Sequence, residues 1–152
     1  MQECNGDIRT EFLNEKWDAI CCTINTCAGR DGLVMGAGIA LAFKQQYHWL
    51  PLIWGERITR WDLPKTYIIV TRLNDRPLYA VGFPTKRDWR FPSEINLIKR
   101  SAQLLRFQIE AMDWRNVLLP RPGCANGGLQ WENVKPMLDA IFDDRVTIIS
   151  KE

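Results

Sequence analysis

Two segments of this sequence pass from an apolar strand through a glycine-rich loop into a helix, and this repeated arrangement constrains the fold most. In the first, the apolar run 18–24 leads to the first glycine loop, residues 35–40. In the second, the run 116–119 leads to the second glycine loop, residues 123–128. Glycine is costly to order. Its clustering therefore indicates either tight turns or loops whose backbone lies close against a ligand.

Strands and helices alternate along the rest of the chain. Apolar runs bounded by turn residues predict further strands at 66–71, 77–82 and 146–149, and a short strand before Gly6 fits the same pattern. Asn74 and Asp75 supply a hairpin turn between the first two of these. Apolar spacing predicts helices over 38–47, over 50–60, from a capping Ser93 onward, and over 130–142. This alternation predicts an α/β fold with a sheet covered on both faces, and 152 residues suit a single domain.

Composition excludes several classes of protein. A net charge of +2 is too small to indicate nucleic-acid binding through the overall field alone. Of the seven tryptophans, most are expected to pack in the core, although one or two could form a stacking surface for a base. The N-terminus has no signal-peptide pattern, and no apolar run has the length of a membrane span. We therefore expect a cytoplasmic protein, bacterial or phage-encoded, that does not associate with membranes.

The five cysteines do not form a metal or disulfide framework. Their number is odd, no CxxC pair is present, and the lone His48 cannot complete a zinc site. We expect reduced thiols, no metal and no cofactor.

The two glycine loops together favour one anionic ligand. Gly36-Ala37-Gly38 falls where a helix should begin, and free N–H groups and the helix dipole favour an anion there. The loop lacks the third glycine of a dinucleotide fingerprint and the Lys-Ser/Thr of a P-loop. Because loops after parallel strands emerge at one edge of a sheet, both could clamp a diphosphate.

Lys86 is the candidate catalytic residue. It follows the apolar run 78–83 and precedes a loop that carries Trp89. Partial desolvation at a strand end would favour the neutral amine, which can act as a nucleophile or base at the anomeric carbon of a ribose. The alternatives are a solvated loop lysine or a phosphate partner.

With these residues identified, the chain resembles the macro domains, which are three-layer α/β/α modules that bind ADP-ribose. More narrowly, it is similar to the branch that contains DarG antitoxins and the human terminal ADP-ribose protein glycohydrolase. The resemblance implies a central mixed, mostly parallel sheet. The matching stretches extend over most of the chain: 6–8, 35–40 with Phe43-Lys44, 83–90 and 120–134.

The resemblance implies a role for each matching residue. Lys86 corresponds to the lysine that catalyses glycosidic cleavage, and Asp7 would accept a hydrogen bond from the adenine amino group. Asn25 and the first glycine loop would face the distal ribose and diphosphate, with the second glycine loop on the other side. The implied ADP-ribose contacts are Asp7, Ile8, Asn25, Met35, Gly36, Ala37, Gly38, Ile39, Ala40, Pro122, Gly123, Cys124, Ala125, Asn126, Gly127, Gly128 and Leu129.

One departure bears on the reaction. Gly127 stands where the human enzyme of this branch has an aspartate that helps to release the sugar. In this respect the chain is similar to the DarG class, which removes ADP-ribose from thymidine bases in DNA. We therefore expect an ADP-ribosyl glycohydrolase that acts on ADP-ribosylated single-stranded DNA, with nucleic-acid contacts by Arg87, Trp89 and Arg90.

Other functions stay open at the level of sequence. The same loops would serve a non-catalytic ADP-ribose binding module, or a hydrolase of protein-linked esters or of small ADP-ribose derivatives. A DarG antitoxin also has a region that binds its ADP-ribosyltransferase toxin, whereas this chain ends at Glu152. It is therefore either a stand-alone hydrolase or a domain of a longer protein, and we expect a monomer. The stretch 29–32 also lengthens the segment before the first glycine loop.

Overall fold

The computed structural model describes residues 1–59, 66–73 and 77–151, which form a sheet of six strands and the helices that cover it. The strand order is β1-β8-β7-β2-β6-β5, and every neighbouring pair is parallel except β5 with β6. A separate short hairpin of two strands, β3 and β4, with two residues each, lies between β2 and the first helix along the chain. The strands are β1 (Gln2–Asn5), β2 (Ala19–Ile24), β3 (Ala28–Gly29), β4 (Gly32–Leu33), β5 (Ile69–Leu73), β6 (Leu78–Pro84), β7 (Val117–Pro120) and β8 (Val146–Ser150).

Helices cover both faces of this sheet. The helices are α1 (Gly38–Gln46), α2 (Leu50–Thr59), α3 (Ile95–Met112) and α4 (Trp131–Ile141), with a short 3-10 helix at Ile8–Thr10. Because successive side chains of a strand point to opposite faces, Ile20 and Cys22 pack with α1 and α2, whereas Ala19 and Cys21 pack with α3 and α4. The predicted mixed, mostly parallel sheet with helices on both faces is confirmed. No helix in the described part of the chain is long and apolar enough to span a membrane.

Most predicted elements are present, with shifted ends. The predicted strand 66–71 lies at 69–73, and the helix predicted over 130–142 spans 131–141. The β3–β4 hairpin was not predicted. The turn at Asn74 and Asp75, and the end of the helix predicted over 50–60, fall outside the described residues.

The prediction that Ser93 caps α3 is wrong. The helix begins at Ile95, and Glu94 occupies the N-cap position without a side-chain hydrogen bond. Ser93 instead donates its backbone N–H to the carbonyl of Gly127 at 3.0 Å. This contact places Ser93 against the second glycine loop, away from the first turn of α3.

The parallel pairing determines where the loops meet. Strands β1, β8, β7, β2 and β6 run in the same direction, so their carboxyl ends lie along one edge of the sheet. Both glycine loops, the loop after β1 and the loop after β6 leave the sheet from that edge. Segments that are far apart in the sequence therefore converge there.

We predict that Gly55→Ala destabilises the fold, because α2 packs directly on the β3–β4 hairpin. An added Cβ at Gly55 would lie 2.7 Å from the backbone N of Leu33 and 2.8 Å from that hairpin's Gly32 carbonyl carbon. Overpacking of this kind costs about 1–3 kcal/mol. Urea unfolding measures the loss, with Gly29→Ala as control because a Cβ there meets nothing within 4 Å. Equal stability of the two variants would contradict the packing described.

Candidate functional site

A cavity of about 970 Å³ lies at the carboxyl edge of the sheet. Its wall includes residues that follow each of the five parallel strands. Among them are Asp7 after β1, Asn25 after β2, Lys86 after β6, Arg121 after β7 and Lys151 after β8. The cavity is thus a product of the sheet topology rather than of any single motif.

The first glycine loop presents backbone N–H groups to this cavity. Helix α1 begins at Gly38, whose φ of 57° lies in the left-handed region, and Ala37 at the N-cap offers no side-chain acceptor. The N–H groups of Gly36, Ala37 and Gly38 donate to no acceptor among the described residues. Asn25 braces the preceding segment: its Nδ2 donates to the carbonyl of Val34 at 2.9 Å, and its Oδ1 accepts from the N–H of Cys27 at 2.9 Å. The loop therefore offers three donors from a fixed backbone.

The second glycine loop offers a matching set. The backbone bonds Gly128 N–H to Ala125 carbonyl (3.2 Å) and Leu129 N–H to Gly123 carbonyl (2.9 Å) close the loop on itself. Within the described ranges, the N–H groups of Ala125, Asn126 and Gly127 donate to no acceptor. The two loops approach each other, since a Cβ added at Gly38 would lie 3.1 Å from Asn126 Nδ2. Two sets of free N–H groups on one cavity can hold a diphosphate from both sides.

Gly127 is packed so closely that the site has no room for a side chain there. An added Cβ would lie 2.1 Å from Ser93 Oγ and 2.6 Å from the Gly123 carbonyl oxygen. A Cβ added at Gly123 would lie 2.7 Å from Ile98 Cδ1 and 3.0 Å from Ser93 Cβ. The Ser93 hydroxyl is buried and has no hydrogen-bond partner among the described residues. Ser93 therefore packs directly against Gly123 and Gly127 of the second glycine loop.

Lys86 lies on the cavity wall in the loop from β6 to α3. Two bonds to the end of β2 and the segment after it hold its backbone: Thr85 N–H donates to the Ile24 carbonyl at 2.9 Å, and Thr26 N–H donates to the Arg87 carbonyl at 3.3 Å. The Lys86 side chain is half-buried and makes no hydrogen bond or ion pair with the residues described. Burial raises the pKa of the nearby cavity thiol, Cys124, which stays protonated and is a poor nucleophile. The Lys86 side chain is thus available to a ligand in the cavity.

Asp7 provides an ionised acceptor on the same cavity. Its Oδ1 accepts the backbone N–H of Arg9 at 2.9 Å, and its Oδ2 lies 3.2 Å from Lys151 Nζ. The Arg9 N–H, followed by Lys151, holds the pKa of the Asp7 carboxyl below its usual value. A carboxylate of this kind can accept a hydrogen bond from an exocyclic amino group.

Known proteins share this fold and much of this sequence, although no protein-family model matches the chain. A DNA ADP-ribosyl glycohydrolase of Mycobacterium tuberculosis (strain ATCC 25618 / H37Rv) is 33% identical over 134 residues, which cover 87% of this chain and 37% of that protein. One from Thermus aquaticus is 29% identical over 141 residues, covering 90% of this chain and again 37% of the relative. The chain thus spans little more than a third of these relatives.

The solved macrodomain of Mycobacterium tuberculosis DarG superposes with a TM-score of 0.83 at 27% identity, covering 99% of this chain and 97% of that one. The chain has the macro domain fold. Its glycine loops therefore lie on the fold that the resemblance implied.

Most of the predicted contacts of this macro domain lie on the cavity, and four do not. Met35, Pro122, Gly128 and Leu129 do not line the cavity. Met35 and Pro122 are buried, so they support the loops from within. The predicted residues on the wall are Asp7, Ile8, Asn25, Gly36, Ala37, Gly38, Ile39, Ala40, Lys86, Trp89, Gly123, Cys124, Ala125, Asn126 and Gly127.

The three predicted nucleic-acid contacts separate into two groups. Trp89 lines the cavity and is 54% exposed. Arg87 and Arg90 do not line it, and each is ion-paired: Arg90 with Asp88 at 2.6 Å, and Arg87 with Glu94 at 3.5 Å. Of the three residues, only Trp89 lines the cavity.

Several wall residues were missed by sequence reasoning, including Thr85, Ser93, Trp131 and Lys151. Trp131 Nε1 donates to Glu3 Oε1 at 3.1 Å, and the Arg121 guanidinium carbon lies 5.0 Å from the Trp131 ring centroid. These contacts tie β1 and the residue after β7 to the start of α4. Thr85, which directly follows β6, could have been inferred from its position at the strand end, whereas the others depend on tertiary pairing.

We predict that Gly127→Ala destabilises the macro domain by about 1–3 kcal/mol, because its Cβ would collide with Ser93 Oγ. Ser93→Gly in the same chain should recover part of the loss, since the Gly123 carbonyl stays close. A double-mutant cycle by urea unfolding measures the coupling. Gly36→Ala is the matched control, because a Cβ there meets nothing within 4 Å. Additive effects of the two substitutions would contradict the contact.

A second prediction concerns the turn that carries Trp89. Hydrogen bonds from Arg90, chiefly from its side chain, lower the pKa of Asp88 from 3.8 to about 2. Because the folded-state pKa lies below the unfolded one, this pair stabilises the fold above the ordinary carboxyl pKa, and the contribution is lost as pH falls through about 2. Arg90→Ala should raise the pKa of Asp88 toward its ordinary value, measured by NMR titration of the carboxyl carbon. Arg72→Ala, which removes an exposed arginine from β5, should leave it unchanged.

Proposed function

We propose that this macro domain binds ADP-ribose in the cavity and removes it from a modified base of single-stranded DNA, most favourably thymidine. The observation that carries the proposal is the position of Lys86, half-buried on the wall that also holds two sets of free backbone N–H groups. The relatives from Mycobacterium tuberculosis and Thermus aquaticus bear the name DNA ADP-ribosyl glycohydrolase, which supports the same reaction here.

The proposed binding mode assigns each part of the ligand to a group of donors or acceptors. The diphosphate lies between the free N–H groups of the two glycine loops, where helix dipoles add to the attraction. The adenine amino group donates to Asp7, which keeps its charge because of Arg9 and Lys151. The distal ribose then extends toward Lys86.

In the proposed chemistry, Lys86 acts at the anomeric carbon of the distal ribose. The neutral amine either attacks that carbon or accepts a proton from the attacking water. In both routes the bond from the anomeric carbon to the base nitrogen breaks, and water finally supplies the new hydroxyl. The products are ADP-ribose and the unmodified base, which takes up one proton at its nitrogen.

The carboxylates on the described wall do not offer a competing route. Asp7 is held by Arg9 and Lys151, Glu132 is exposed on the first turn of α4, and Gly127 has no side chain. A mechanism that needs a carboxylate from the second glycine loop is therefore disfavoured. This also makes protein-linked esters the less favoured substrate.

A non-catalytic binding module is the second candidate, and the free N–H groups favour it equally because binding needs no lysine. Tight calorimetric binding of ADP-ribose without release from modified DNA, protein or small ADP-ribose derivatives would favour this candidate. Under the leading proposal the partner enzyme is the ADP-ribosyltransferase that makes the modification, and the macro domain acts as a monomer.

We predict that Lys86→Ala lowers the rate of ADP-ribose release from an ADP-ribosylated single-stranded oligonucleotide by at least about 100-fold. Its affinity for free ADP-ribose, measured by calorimetry, should change only a few-fold, because the backbone donors remain. Lys86→Arg should bind but not turn over, since a guanidinium stays charged and cannot supply a neutral amine. The control is Lys99→Ala, an exposed lysine on α3. Equal release by the wild type and Lys86→Ala would refute the catalytic role.

A further inference from the structure

The tight turn at residues 88–91, called here the aromatic turn, carries two large exposed rings beside the cavity. Trp89 is 54% exposed and Phe91 is 63% exposed, whereas Trp17, Trp54 and Trp114 are buried. Two neighbouring exposed rings at the rim of a ligand cavity indicate an interaction surface. The buried tryptophans already supply the core packing.

The aromatic turn is held in place at several points. Phe91 N–H donates to the Asp88 carbonyl at 3.2 Å, and Asp88 Oδ1 accepts the backbone N–H of Arg90 at 3.0 Å. On either side, the Arg87 carbonyl accepts from Thr26 N–H, and Glu94 N–H donates to the Thr85 carbonyl at 2.9 Å. The rings are therefore presented by a preorganised backbone, which lowers the entropic cost of binding a partner.

The positive charges of this segment are largely neutralised within it. Arg90 directs Nε and Nη2 at Asp88, at 2.9 and 2.6 Å, and its guanidinium carbon lies 5.8 Å from the Trp89 ring centroid. Arg87 pairs with Glu94 at 3.5 Å. Binding at this surface is thus expected to depend on the rings more than on phosphate contacts.

We propose that Trp89 and Phe91 form a stacking surface for unpaired nucleobases that flank the modified base, which makes single-stranded DNA the preferred substrate. This rests on the proposed function, because Trp89 lines the cavity three positions after Lys86, close to where the departing base would lie. Every base offers a π face to an aromatic ring, and only an unpaired base leaves that face open. A duplex therefore cannot use the surface.

The experiment compares two substrates that differ only in their flanking nucleotides. One is an ADP-ribosylated single-stranded oligonucleotide, and the other is the corresponding ADP-ribosylated mononucleoside. Trp89→Ala and Phe91→Ala are each expected to raise KM for the oligonucleotide about 5- to 100-fold. The effect on the mononucleoside should be much smaller for Phe91→Ala, because Phe91 does not line the cavity. Phe107→Ala removes a ring on α3 that is 73% exposed, and it should leave KM for both substrates unchanged.

Fluorescence anisotropy with unmodified oligonucleotides supplies a second readout. Single-stranded DNA should bind more tightly than the matching duplex. Raising the salt from about 50 to about 200 mM should weaken binding less than about tenfold, because few phosphates are contacted. A loss of about 1,000-fold would indicate phosphate recognition and overturn the stacking surface.

The outcomes separate the two proposals. If the wild type neither binds ADP-ribose nor releases it, the proposed function fails. If it releases ADP-ribose but the wild type and both aromatic variants keep equal KM values for the oligonucleotide, only the stacking surface is wrong. Equally efficient processing of an ADP-ribosylated peptide would also overturn single-stranded DNA as the preferred substrate.

Discussion

The parallel pairing of β2 with β6 is the interaction on which the site depends. Its register sets Ile24 beside Pro84, so the segments that begin at Asn25 and Thr85 leave the sheet side by side. The Thr85 N–H bond to the Ile24 carbonyl continues the ladder by one residue, immediately before Lys86. A slip of one residue would turn Lys86 toward the opposite face and break the packing of both cores. The position of the candidate lysine is therefore set by sheet hydrogen bonding rather than by its own loop.

The proposed anion site is built almost without side chains. Both α1 and α4 begin without a side-chain cap, although capping is worth about 1 kcal/mol per helix. The N–H groups at the start of a helix that have no internal partner cost stability unless water or a ligand satisfies them. An anion held this way is recognised by geometry, because each donor is fixed to the backbone. The modest net charge of +2 is consistent with such a site, which does not need an excess of basic side chains.

How far the sequence predicts this site depends on how local each feature is. The two strand–loop–helix units could be read from short stretches, because glycine, strand and helix signals act between neighbours. Asp7 was indicated only by the family resemblance. The β3–β4 hairpin was missed because each strand has only two residues, too few for a periodic pattern. Lys151 lies on the cavity wall because β8 pairs in parallel with β1, which brings it next to Asp7 although the two residues are far apart in the sequence. Arg90 was expected to contact nucleic acid, but its guanidinium donates to Asp88, two residues earlier.

Ser93 shows how one tertiary contact can decide both local structure and chemistry. Its sequence context, just after Pro92 and before a helix, is typical of an N-cap, yet its side chain lies between Gly123 and Gly127. A buried hydroxyl without a partner costs about 1–3 kcal/mol, so this placement is not favoured by hydrogen bonding. Its consequence is that position 127 can carry a side chain only if Ser93 or the Gly123 carbonyl moves. The absence of an aspartate there is thus built into the packing beneath the loop. A reaction that used such a carboxylate would need changes at Ser93 as well as at Gly127, whereas one that uses Lys86 needs neither.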